Sequence, residues 1–145
     1  MAQANTIELV TSLAADPEVR AEAAGRLAVH LGATDLLLFV QDPELPVALP
    51  PLGFCQTLPG GRFWREFIQT CVRNGTTENH LCYPTSSDRR IARGWSSRGD
   101  TVLVLLDGNP QPERVDEVIR LLPLLSSVFR QERLAFISSG HEQIA

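Results

Sequence analysis

A chain of 145 residues, 43% hydrophobic and 21% charged, has the make-up of one globular domain, long enough to bury roughly 70% of the surface its unfolded form exposes. Its formal net charge of -4 gives no general attraction for nucleic acid, and no apolar run approaches the ~18 residues that would read as a membrane span. The opening MAQANTIELV lacks the basic start and apolar core of a secretory signal, so a cytoplasmic location is expected. Cys55, Cys71 and Cys82 make an odd count without a paired metal spacing, which indicates neither a disulfide framework nor a zinc site.

Residues 1–16 read as a lead-in. In ADPEVRAEAAGRLAVHLG, Asp16 supplies an N-cap and Pro17 a first-turn proline, and Gly32 suits the C-terminal stop, which predicts a helix over Pro17 to Leu31. Its alanines and Gly25 form a small-residue face suited to close packing. TDLLLFV, Thr34 to Val40, is apolar without alternation and too short for a helix, so it reads as a strand covered on both faces. TVLVLLDG, from Thr101, repeats the pattern, and the two are expected as central strands of one sheet.

Between them, the prolines of QDPELPVALPPLGFCQTLPGG remove backbone donors and permit at most a short edge strand near Val47 to Leu49. FCQTLPGGRFWREFIQTC passes through a turn into a short helix. Its PGGR amides suit a phosphate at a helix N-terminus, but a tight turn into the helix is reason enough for the glycines. TTENHLCYP reads as a third strand, and Ile91 to Trp95 as another inside TSSDRRIARGWSSRGD, whose arginines are expected in a solvated loop.

From Pro112 to Ile137 a long helix is predicted. Val115, Val118, Leu122, Leu125, Phe129 and Phe136 form an apolar stripe, interrupted at Glu132, with Leu121, Leu124 and Val128 beside it. So wide an apolar surface predicts a second contact, most simply with the same helix of another subunit. The first stripe is therefore assigned to a homodimer interface. Pro123 within the stripe predicts a kink or two helices in series.

This order of elements resembles a GAF domain, the small-molecule sensing module of bacterial signalling proteins. LAVHLGATDLLLFVQDPE is similar to a GAF first helix and strand, TVLVLLDGNPQPERVDEVIRLLPLLSSVFRQE to the last strand and exit helix, and FCQTLPGGRFWREFIQTC stands in place of the mid-domain helix. The resemblance spans about Pro17 to Glu132 and rests on the pattern rather than on a signature. It implies an α+β fold with a mainly antiparallel sheet of about six strands. The N- and C-terminal helices would pack on one face, with a ligand pocket under loops and a short helix on the other. The domain is then expected over 17–137, with 138–145 as a tail or the start of a signalling linker. In such proteins the exit helix commonly leads into a histidine kinase or cyclase-type output domain. The chain carries no phosphoacceptor or ATP-binding pattern of its own, so it reads as the noncatalytic sensor of a longer two-component protein.

On this reading an apolar small molecule meets Trp64, Phe67 and Cys71 of the short helix, joined by Phe54, His80, Cys82, Tyr83 and Trp95 from the neighbouring tracts. The alternatives are a module that only dimerises, its pocket plugged by Phe54, Trp64 and Trp95, and a cysteine-dependent enzyme. The free methionine-R-sulfoxide reductases are GAF-fold enzymes with three cysteines, but their local sequence is not apparent around those of this chain. His80 and Cys82, two apart on a strand, would share one face as a thiolate and imidazole pair. Haem and bilin are disfavoured. The Cys-His pair of bilin-binding GAF domains is absent, His30 reads as a partly exposed helix residue, and His141 lies in the tail. No cofactor and no metal is expected.

Overall fold

The computed structural model describes residues 5–41, 48–54, 62–82, 89–97 and 101–144, with side chains through residue 138. Helix α1 (Thr6–Ala15) opens the fold where the sequence suggested only a lead-in. Asn5 caps it, its side chain accepting the Glu8 N–H at 2.8 Å, and Leu9, Val10 and Leu13 are buried. Asp16 caps a single 3-10 turn (Pro17–Val19), and α2 (Arg20–Leu31) follows, closing at Gly32 with φ 92°. The expected helix over Pro17 to Leu31 is therefore a 3-10 turn running into an α-helix.

Five strands are present among the described residues, fewer than the six expected. They are β1 (Asp35–Gln41), β2 (Ala48–Leu49), β3 (Thr76–Cys82), β4 (Arg89–Ser97) and β5 (Thr101–Leu106), in the order β2-β1-β5-β4-β3. All neighbours are antiparallel. β5 is the central strand and every one of its residues is buried, so its unbroken apolar run has a partner on each face. β2 is the two-residue edge that a proline-rich tract permits.

The register assigns faces. Leu36, Leu38, Leu103 and Leu105 turn to a core shared with α1, α2 and α4 (Pro112–Ile144). Phe39, Val102, Val104 and Leu106 turn to the opposite core under α3 (Arg62–Asn74), with Trp64, Phe67 and Cys71. Gly94 of β4 admits α3 closely, since a Cβ there would stand 3.1 Å from both Cys71 Sγ and the Phe67 ring. The N- and C-terminal helices thus share one face of an α+β sheet, as expected, and among the described residues α3 is the one helix on the other.

α4 narrows one expectation and corrects another. It is one helix rather than two in series, and it continues through Pro123, which is exposed, so the carbonyl left without its N–H partner can turn to water. And Val115, Val118, Leu122, Leu125 and Phe129, assigned to a dimer interface, are buried in the chain's own core, because covering the sheet consumes that stripe. Of the six, only Phe136 is exposed, at 58%. The neighbouring stripe also finds company within the chain. Leu121 and Val128 pack against the same core, and helical spacing sets them on the flank shared by Arg114 and Glu132, which bond to His30 O and Arg20. That flank meets α1 and α2, so the breadth of apolar surface reflects helices packed on α4 as well as the sheet beneath it.

Arg20 fastens this layer. It is fully buried, and its Nε donates to Leu13 O at 2.7 Å, Nη1 to Leu52 O at 2.7 Å and Nη2 to Glu132 Oε2 at 2.9 Å. The guanidinium also lies 4.7 Å from the centre of the Phe129 ring. One side chain thereby joins the end of α1, the tract after β2 and the middle of α4. No helix among the described residues is long and apolar enough to cross a membrane.

Candidate functional site

A cleft of about 300 Å³ opens where the start of α3 meets the outer strand β3. Phe63 and Trp64 supply one wall, Leu81 and Asn79 the other, and His80, Cys82 and Arg89 the strand end. The amphipathic spacing of α3 builds it: Trp64, Phe67, Ile68 and Cys71 turn to the sheet, which leaves Phe63 exposed at the rim. Trp64 Nε1 donates to Cys82 O at 2.9 Å and so ties the helix start to the strand end. The opening therefore has an apolar interior, with Asn79 on the same strand face as Leu81, while His80, Cys82 and Arg89 border it at the strand end from positions that alternate toward the other face of the sheet; such an opening suits a small, mostly apolar molecule.

The residues assigned from sequence divide among three places. Trp64, His80 and Cys82 meet at this cleft. Phe67 and Cys71 lie beneath it in the α3 core, fully covered, and so support the cleft without lining it. Phe54 and Trp95 pack against the helical core on the opposite side of the sheet, because strand alternation turns Trp95 away from Ala92 and Gly94. An aromatic plug of Phe54, Trp64 and Trp95 is thus excluded by the sheet between them. Tyr83 and Cys55 fall outside the described residues, as do Pro59 to Gly61 of the PGGR turn. Phe63, Asn79 and Arg89 were not foreseen. Arg89 was legible in principle, since a hairpin between the third and fourth strands sets it opposite Cys82.

The thiols differ sharply. Burial pushes the Cys71 thiol up to about 12, which keeps it protonated and unreactive at neutral pH, while Cys82 is exposed. His80 and Cys82 occupy alternate positions of β3 and share a face. His30 is half-buried on α2 with its Nε2 2.9 Å from Thr6 Oγ1; burial first, then Arg114, lowers its pKa. The ring thus has a partner on α1. Among the described residues no group of three or more His, Cys, Asp or Glu side chains gathers as a metal site would require.

Three of the arginines read as a loop, Arg89, Arg90 and Arg93, belong to β4, and Arg98 lies outside the described residues. Arg90 Nε donates to Asp107 at 2.7 Å and its Nη2 to Asp35 at 2.5 Å, and Arg93 Nε donates to Glu78 at 2.6 Å. Chief among the causes, the Arg90 hydrogen bond holds the Asp107 carboxyl below the usual carboxylate range. No protein-family model, curated protein or solved structure matches the chain.

Proposed function

We propose that this chain is a GAF-like, noncatalytic sensory module of a bacterial signalling protein that binds a small molecule in the cleft between α3 and β3. The observation that carries the reading is the cleft itself, whose apolar interior adjoins Asn79 and is bordered by His80 and Arg89 at the strand ends. The order of elements and the helices on one sheet face agree with the resemblance drawn from sequence. Occupation would tighten α3 against β3, and the sheet would pass the change to α4, which packs on β1, β4 and β5. In a longer protein, α4 would carry that change to an output domain such as a histidine kinase.

Pairing of two copies belongs to the same proposal, with its residues revised. Among the described residues Leu124, Leu134 and Phe136 are the large apolar groups α4 leaves exposed, at 64%, 45% and 58%, and they replace the buried stripe as contact candidates. Native mass spectrometry of the freshly purified chain tests both parts. A dimer carrying extra mass that vanishes on denaturation, and is lost in a His80→Ala, Arg89→Ala variant, supports the reading. A bare monomer at micromolar concentration overturns it.

A further inference from the structure

The outer surface of α3 carries its charge in an order that works against the helix. Helices α1, α2 and α4 each place an acid in the first turn, Glu8, Glu22 and Glu113, where it meets the positive end of the helix dipole. α3 has no acid there and begins with Arg62, with Arg65 about one turn on, both exposed. Glu66 bridges to Arg62 at 3.1 Å, but with the base N-terminal to the acid, the weaker order along a helix. Elsewhere the fold matches its arginines: Arg20, Arg90 and Arg93 each reach a carboxylate on another element. Arg65 enters no ion pair among the described residues. A local arrangement that lowers stability, with nothing in the chain to offset it, is expected where another molecule meets the surface.

The complement lies on the opposite side of the sheet. Glu113 and Glu117 are exposed at the start of α4 and enter no ion pair among the described residues. The spacing of the two ridges agrees. On α3, Arg65 and Val72 stand one heptad apart on one line, roughly 10.5 Å along the axis, with Arg62 and Gln69 beside them. On α4, Glu117 and Leu124 repeat that interval, with Glu113 and Arg120 beside them. Val72 and Leu124 are 40% and 64% exposed. Laid parallel, the ridges bring Arg62 to Glu113, Arg65 to Glu117, the Gln69 amide to Arg120 and Val72 to Leu124. Glu66, the one like charge within reach of Asp116, is the residue that Arg62 already bridges. The acids of α4 then lie against the N-terminal end of α3, which its own sequence leaves without them.

We propose that this ridge of α3 docks on the first three turns of α4 of a second copy. α3 and α4 cover opposite faces of the sheet, so the contact is head to tail and each copy keeps one surface of each kind free. Association therefore grows with concentration instead of stopping at two, and salt weakens it because the pairs are exposed. It requires neither the cleft beside α3 nor Leu134 and Phe136.

Sedimentation velocity of the full chain, read as weight-average mass against concentration, tests the proposal. A mass that climbs at about 25 mM salt and falls back at about 0.5 M is expected. Arg62→Glu with Arg65→Glu, and separately Glu113→Arg with Glu117→Arg, should each weaken the association at least about tenfold, and an equimolar mixture of the two variants should regain it. Arg26→Glu, at an exposed position of α2, should leave it unchanged. The α3 variant should melt no lower than the native chain, since it supplies the missing first-turn acids, so its loss of association is not a loss of fold. A mass indifferent to salt, undiminished association in either variant, or a mixture that stays dissociated would each overturn the proposal. So would capture of the native chain by phosphatidylserine vesicles, lost in the α3 variant, without self-association.

Discussion

Replacing Arg20 by methionine keeps most of the buried stem and removes the guanidinium. That group serves the carbonyls of Leu13 and Leu52, and the Glu132 carboxylate, whose Oε1 is 2.8 Å from Nη1. The Leu13 carbonyl is in the last turn of α1, where helices leave oxygens without internal partners. Removing one member of a buried ion pair costs about 3–5 kcal/mol. Glu132 is 22% exposed, so water relieves part of its loss and the lower end, about 3 kcal/mol, applies. For a domain of this size each kcal/mol shifts the melting midpoint by roughly 2–4 °C, so a fall of about 6–12 °C is expected by circular dichroism. Glu132→Gln alone should cost less, and the double variant should cost less than the sum of the singles, because the two groups share one interaction. A fall under about 3 °C, the behaviour of a surface pair, would refute the view of Arg20 as the fastening of the helical layer.

Gly108→Ala should lower stability by about 2–4 kcal/mol in urea titration, combining the ordinary cost of a left-handed backbone with a clash. Gly108 has φ 77°, and a Cβ there would lie 2.2 Å from Gly32 O. In a Cys55→Ser background, Cys82 should react with a soluble disulfide reagent in the folded state, and Cys71 only as the protein unfolds. Fast labelling of Cys71 would mean that α3 opens readily. Because Asp107 titrates below its unfolded value, the folded state binds fewer protons than the unfolded chain. The stability this adds is complete above a pH of ~3.9 and is lost as the pH falls through the lower folded value. Asp107→Asn should therefore flatten the acid limb of the stability curve, measured by urea midpoints from neutral pH downward.

The strands most legible in the sequence are the ones buried on two faces. β1 and β5 advertise themselves because their neighbours exclude polar residues at nearly every position. Of β4 only Ile91 to Trp95 read as a strand, and its arginines read as a solvated loop, because they are matched by Asp35, Glu78 and Asp107, partners remote in sequence and close only after the sheet forms. α1 was passed over although Asn5 and Glu8 stand at the spacing that marks a helix start. At the site, alternation was enough to set His80 and Cys82 on one face. It was not enough to separate Trp95 from Trp64, since that depends on how β4 registers against its neighbours and which helix covers each side.

β3 ends the sheet, and its outer edge would ordinarily invite a strand from another molecule. Two of its outward groups are already engaged: the His80 N–H bonds to the Asn79 side chain at 2.8 Å and the Cys82 carbonyl to the Trp64 indole. Trp64 therefore has a duty separate from packing, as a guard against filament growth along this edge. Exchanging it for phenylalanine would preserve an aromatic ring in the core while baring an acceptor to neighbouring chains. Such a variant should reveal itself through slow light scattering in concentrated solution before any loss appears in its melting temperature.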